Sequence, residues 1–376
     1  MAEGSGKMKI TDIKTFLVGV SRQNWLFVKV LTDEGIYGWG EASVEGQEKA
    51  VEQAILTLAR RSVIGEDPRN IEYIWQKMNK HGFWKGGFIY NTAISGIDQA
   101  LWDIKGKALG VPVYELLGGA VRDKLRTYTH GNETNAAKAI AAGFAGVKSG
   151  IGGKYYDPLE APKILDERLT AIRKEIGPKG LIAVDHHGQA SVAEALKLIK
   201  VAAEHDLYFF EELIPPENTA SYKFIHDNAR GVPIAAGERL FSRHDYIPVF
   251  ADQSLDIVQP DICHCGGITE IKKIAAMAET YTMRFAPHNP NGPVATAASM
   301  HVSAFAQNFE ILEFAQTVYE LPDITNMSFK PENGSFSLPS GPGLGIEIDE
   351  AALASRPYYF YQYAPRFRED GSPSEI

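Results

Sequence analysis

Residues 181–187 read LIAVDHH: a short apolar run that ends in an acid and two histidines. The pattern returns in residues 207–212, LYFFEE, and 233–238, PIAAGE. Runs of this length, bounded by polar or turn residues, read as buried strands. Five more lie outward from these, at 125–129, 145–149, 255–259, 283–287 and 309–313, so the segment holds eight. Between them apolar residues recur at helical spacing, as in Val192, Leu196, Ile199 and Ala203, or Ile268, Ile271, Ala275 and Ala278. The runs start 20 to 36 residues apart, which is the length of one βα unit. Eight consecutive units predict an α/β chain folded as a parallel barrel rather than a doubly wound open sheet.

The flanks differ. Residues 9–18 and 26–31 are strand-like, and the second leads through TDEG (32–35) into 36–40, where an acid followed by Gly between apolar residues signals a hairpin. From residue 48 to about 117 the periodicity is helical, as in Ile97, Leu101, Ile104 and Leu109. This segment therefore reads as an α+β unit. After the eighth run the chain turns Pro- and Gly-rich, and residues 341–348 are expected to form a strand and turn rather than a closing helix. The expected division is 8–122, 123–320 and 321–376.

With 44% hydrophobic and 23% charged residues the 376-residue chain can bury a sizeable core, which excludes disorder. A formal charge of -9 argues against nucleic-acid or anionic-membrane partners. Two cysteines only two positions apart, Cys263 and Cys265, are too few for a disulfide framework or a structural zinc site and read as buried fillers. No apolar run approaches a membrane span, and MAEGSGK lacks the apolar middle of a signal peptide. The cytoplasm is the expected location, with residues 1–7 a remnant before a natural start at Met8.

In a parallel barrel the chemistry stands where strands end. Those ends carry Lys148, Asp185 with His187, Glu211 with Glu212, Glu238, Asp261, His288 and Glu313. Asp185, Glu211 and Glu238 come from three successive strands, 26 and 27 residues apart. Adjacent strand tips lie about 4.8 Å apart, so the carboxylates converge and repel unless a cation sits among them. All-oxygen donors favour Mg²⁺, with Mn²⁺ as a substitute. Strand alternation admits only one of Glu211 and Glu212 to the interior and does not choose between them. If strand geometry persists, His187 faces the same side as Asp185, beside the metal, and His186 points away. His187 and His288 are the acid/base candidates, and Asp261 on the neighbouring tip can orient one imidazole and raise its basicity. His264 is a candidate ligand contact. A metal-held carboxylate, a base for its α-proton, an acid for a leaving group and the Lys148 cation together make an enediolate-forming site.

Several stretches carry a resemblance: GIYGWGE (35–41), GIDQALWDIKGKALGVPVYELLGG (96–119), GERLFSR (237–243), QPDICHCGGITE (259–270) and GPGLGIEID (341–349). With these the chain resembles the mandelate racemase subgroup of the enolase superfamily, and within it the galactonate-type acid-sugar dehydratases. The resemblance implies a (β/α)7β modified TIM barrel under an α+β capping domain built from the N-terminal segment and the chain's end. It implies Asp185, Glu211 and Glu238 as metal ligands, thereby choosing Glu211 over Glu212. It also implies Asp261 and His288 as the base dyad, His187 as the acid and Glu313 as a partner of the substrate carboxylate. The implied partners are a small sugar acid and further copies of the chain in a homo-oligomer. Gly150 stands where relatives with a Lys-x-Lys pair carry their second lysine, Leu213 where relatives have Pro, and Gln189 where galactonate dehydratases commonly carry Arg. The competing expectations are an epimerase or cycloisomerase on the same enediolate, or a catalytically silent binder, with substrate stereochemistry read by cap loops around 21–25 and 83–90.

Overall fold

The alternating runs near the start form β1 (Ile10–Val20), β2 (Gln23–Thr32) and β3 (Tyr37–Glu41), an antiparallel sheet in that order. Helices α1 (Glu48–Leu58), α2 (Ile71–Lys80), α3 (Phe88–Leu109) and α4 (Val113–Leu117) follow. The glycines of GIYGWGE let β3 lie directly on α3. A Cβ on Gly38 would stand 2.1 Å from Ala100 O, and one on Gly40 1.9 Å from Gly96 O. The computed structural model describes residues 8–21, 23–152, 157–361, 365, 367–368 and 370–373, so the expected N-terminal remnant lies outside them.

The chain's end returns to this unit. The Gly19 N–H donates to Arg356 O (3.1 Å), Asn24 Nδ2 donates to Tyr359 O (2.9 Å), and Lys29 pairs with Glu350 (2.5 Å). Lys107 joins Asp103 on its own helix (2.8 Å) to Glu347 (2.7 Å). Residues 341–348 make two isolated bridges, Pro112 to Gly343 and Thr325 to Ile348, instead of the expected strand. Gly343 and Gly345, at φ of 70° and 71°, break the extended run.

The barrel alternates strand and helix: β4 (Lys124–His130), α5 (Ala136–Ala141), β5 (Gly146–Gly150), α6 (Ala161–Ile176), β6 (Leu181–Asp185), α7 (Val192–Ala202), β7 (Phe209–Glu211), α8 (Thr219–Asp227), β8 (Ile234–Ala236), α9 (Ile247–Asp252), β9 (Ile257–Val258), α10 (Ile268–Thr280), β10 (Arg284–Phe285), α11 (Pro293–Phe305) and β11 (Leu312–Phe314). The strands run parallel in the order β10-β9-β8-β7-β6-β5-β4-β11, and a bridge from Phe285 to Phe309 joins the two ends. No closing helix follows β11 among the described residues. A 3₁₀ turn (Gln316–Glu320) leads on to β12 (Ser335–Ser337), antiparallel to β4. Each of the eight expected runs overlaps one strand. At residues 283–287 the strand stops early, before Pro287, which has no N–H to donate.

Inside the barrel Tyr128, Ala183, Phe209, Ala235, Ile257, Ala286 and Ile311 pack as a separate buried cluster. Their chain neighbours, such as Val184, Phe210, Ala236 and Val258, face the helices in the larger core. The cap is tied to the barrel by Glu41 at the end of β3. Its carboxylate accepts from the backbone N–H groups of Gly292 (2.7 Å) and Ala295 (2.9 Å) at the start of α11, where the helix end favours an anion.

Farther along α11, His301 is fully buried, and its Nδ1 accepts from the Tyr114 backbone N–H (3.2 Å). Burial pushes its pKa down to about 4, against about 6.5 in an unfolded chain. As the pH falls the unfolded chain takes up this proton first, so the stability present above pH 6.5 is lost between about 6.5 and 4. His301→Gln is expected to lose about 2 kcal/mol less stability than the native chain between neutral pH and pH 5. Urea unfolding at the two pH values checks this.

Candidate active site

Strand alternation builds the site from the barrel's inner layer. Two residues beyond Tyr128, Ala183, Phe209, Ile257, Ala286 and Ile311 stand His130, Asp185, Glu211, Gln259, His288 and Glu313. A period of two keeps each of these on the inward side. Glu211 therefore faces the interior, where its cross-strand neighbour is Asp185. Glu212 turns aside at φ 41° and forms a two-pronged pair with Arg239 (3.0 and 2.6 Å). Glu238 is out of phase with Ala235, but the intervening Gly237, at φ 141°, re-aims the chain.

Lys148 Nζ, on β5, is the centre of charge. It lies 2.8 Å from Glu211, 2.9 Å from Glu313 and 3.2 Å from Asp185. Burial opposes its charge, but these carboxylates outweigh burial and hold its pKa well above the usual lysine value. Burial also works against Asp185 and Glu313, yet Lys148 with His187 for one, and Lys148 with His288 and His130 for the other, keep both well below the carboxylate range. Glu211 and Glu238 go the other way. Burial first, then neighbouring carboxylates, push both well above it.

His288 Nδ1 is 2.8 Å from Asp261 Oδ2, so with Nδ1 as donor Nε2 is the basic nitrogen. That Nε2 lies 3.1 Å from Glu238 Oε2 and 4.0 Å from Glu313 Oε2. Burial opposes its protonation, but Glu313 and Asp261 raise His288 to about 9. Asp261 also accepts from Asn291 Nδ2 (2.9 Å) and the Cys263 N–H (2.6 Å).

His187 leaves the strand at φ 49°, so extended geometry does not persist there. Its ring nevertheless returns, with Nε2 3.1 Å from Asp185 Oδ2, and Asp185 raises its pKa. Its side chain is half-exposed while Asp185 is buried. β6 and β10 are four strands apart in a ring of eight, which puts His187 and His288 on opposite sides of the mouth. His264 turns to the cap, with Nε2 3.0 Å from Ser43 O.

The sequence reading passed over two inward residues. Gln259 Nε2 donates to Glu211 Oε2 (2.8 Å), and His130 Nε2 lies 2.6 Å from Glu313 Oε1. Their signal was present: each stands two residues beyond an interior apolar position, but His130 lies one residue past its expected run and Gln259 closes its run as a neutral amide among acids and histidines.

Residues 6–118 match the family described as mandelate racemase / muconate lactonizing enzyme, N-terminal domain, and residues 133–352 match the enolase C-terminal domain-like family. The chain belongs to the enolase superfamily. It is 42% identical to the D-galactonate dehydratase of Ralstonia pickettii strain 12J over 93% of this chain and 94% of that protein. The D-galactonate dehydratase of Pectobacterium atrosepticum is 40% identical over the same shares. An enolase of Agrobacterium radiobacter solved with bound sodium and L-malate superposes with a TM-score of 0.91 at 31% identity, covering 98% of this chain and 100% of that one. A member of the superfamily from Salmonella Typhimurium gives 0.85 at 34% identity, over 93% and 98%. This superfamily chain is an enzyme of the carbon–oxygen lyase class. No helix among the described residues is long and apolar enough to cross a membrane.

The donor set suits a hard cation. Ligand atoms of Glu211, Glu238 and His288 lie within 4.8 Å of one another, while Asp185, the third expected ligand, is held by Lys148 and His187. Glu238 Oε2 is buried and receives no aligned hydrogen bond among the described residues, its near neighbour being His288 Nε2 at 3.1 Å. A buried carboxylate oxygen left so is costly unless a cation meets it. Calorimetry with Mg²⁺ is expected to find binding by the native chain and affinity lowered about 10-fold or more, ~1.4 kcal/mol, in Glu238→Gln. Unchanged affinity in that variant removes Glu238 from the site.

Proposed function

We propose that this enzyme is a Mg²⁺-dependent dehydratase of aldonate-type, galactonate-like sugar acids that yields the 2-keto-3-deoxy acid. The carrying observation is the pair of histidines on opposite sides of one barrel mouth, each held by its own carboxylate, with Lys148 and the Glu211–Glu238 pair near them. The D-galactonate dehydratases at about 40% identity support the same reaction. L-malate, bound by the Agrobacterium enolase, carries the α-hydroxy carboxylate that such a substrate presents. On this reading residues 8–122 roof the barrel of 123–320, and the described part of 321–376 returns to that cap by way of β12 on β4.

Glu211 and Glu238, with Asp185, would hold the cation, which supplies positive charge for the substrate carboxylate and acidifies the C2 proton. In its neutral form, with the tautomer fixed by Asp261, His288 Nε2 takes that proton. Lys148 faces the negative charge that develops on the carboxylate side. His187, kept protonated by Asp185, gives its proton to the departing 3-hydroxyl, and the enol tautomerises to the keto acid.

Because proton removal precedes loss of the hydroxyl, the two roles separate. His288→Asn is expected to lose both dehydration and exchange of the C2 hydrogen in D₂O. His187→Asn should lose dehydration by about 100-fold or more and retain C2 exchange. Proton NMR of recovered substrate reads both, and exchange kept in His288→Asn but lost in His187→Asn reverses the assignment.

A further inference from the structure

His130 is the inward residue of β4 that the dehydratase mechanism leaves without a role. It pairs in register with Lys148 on β5, and its ring is half-exposed toward the mouth. Its Nε2 is 2.6 Å from Glu313 Oε1, the same oxygen that Lys148 Nζ approaches at 2.9 Å. Glu313 is fully buried, and its other oxygen accepts from the Asn289 N–H (2.9 Å). Lys148 is thus divided among three carboxylates, each with a second side-chain partner: Gln259 for Glu211, His187 for Asp185 and His130 for Glu313. Of these three partners, His187 already has a chemical task and Gln259 bonds the Glu211 oxygen that Lys148 does not approach, whereas His130 shares Oε1 of Glu313 with the lysine.

We propose that His130 is a positioning residue that releases Lys148 to the substrate. When an α-hydroxy carboxylate enters, Lys148 must turn part of its charge from Glu313 to the incoming anion. A buried carboxylate abandoned by its only side-chain donor costs several kcal/mol, so without His130 the lysine stays with Glu313. With His130 in place, Oε1 keeps a charge-assisted hydrogen bond while Lys148 changes partner. His130 acts through Glu313 and Lys148 and needs no contact with the reacting atoms. The inference rests on the proposed function for the identity of the anion, but not for the binding event itself.

Its test is therefore binding. The native chain, His130→Phe and His130→Gln are titrated with L-malate by calorimetry in the presence of Mg²⁺, and kinetics are measured on whichever aldonate the native enzyme dehydrates. His130→Phe is expected to bind L-malate about 10-fold more weakly and to raise KM by a similar factor, with kcat changed less than about 3-fold. His130→Gln, which keeps a donor, should recover most of the affinity. Native-like binding by His130→Phe overturns the inference. So does a loss in His130→Gln equal to that in His130→Phe, since the ring would then matter only for packing. A native chain that binds L-malate with this same pattern among the variants, yet dehydrates no sugar acid, upholds the inference and overturns the dehydratase reading instead.

Discussion

Like-charge repulsion at one end of a barrel governs this molecule. Asp185, Glu211, Glu238 and Glu313 are all buried or nearly so, and two unit charges 4 Å apart repel by about 4 kcal/mol even at an effective dielectric near 20. Lys148 offsets three of the four, and His288 stands beside the fourth. The resulting asymmetry is chemically useful. Carboxylates held by Lys148 and an imidazole stay ionised, whereas Glu211 and Glu238 are driven toward their neutral forms until more positive charge arrives. A fifth acid, Glu212, would worsen the repulsion. Its left-handed backbone turns it away from the mouth and Arg239 pairs with it, although it remains the carboxylate that most raises Glu238.

The barrel was legible because parallel strands buried on both faces are nearly continuous apolar runs, and eight such runs alternating with amphipathic helices leave few alternatives. The direction of each tip residue was partly legible too. Counting in twos from Phe209 selects Glu211, and from Ile257 selects Gln259, yet the phase of a three-residue strand becomes visible only once its neighbours are seen packed together. Where the backbone leaves extended geometry, counting fails. Glu238 faces the site only because Gly237 bends the chain, and His187 returns to Asp185 from a left-handed conformation.

His130 lay beyond reach for a different reason. Its purpose depends on Glu313, 183 residues away, and no local pattern marks a pair brought together by the closure of β11 onto β4. The cap's dependence on the chain's end was similarly hidden. The glycine-rich stretch 341–348 looks like a strand in sequence, but its work is done by backbone and side-chain bonds to α3, the turn after it and β3, such as Leu344 N–H to Asp103 Oδ1 (2.8 Å) and Tyr37 Oη to Glu347 (3.0 Å).

That last feature sets an order of events during synthesis. The strands that leave the ribosome first, β1 and β2, find Arg356, Glu350 and Tyr359 only after more than 300 further residues have emerged. The barrel can close on contacts between neighbouring βα units, but its roof stays incomplete until residues as late as Tyr359 have been translated. A nascent chain interrupted between residues 320 and 343 would hold all eight barrel strands yet leave the cap sheet without Glu350, Arg356 and Tyr359. The cell's proteases and chaperones could tell such a product from the finished one by its exposed cap sheet alone.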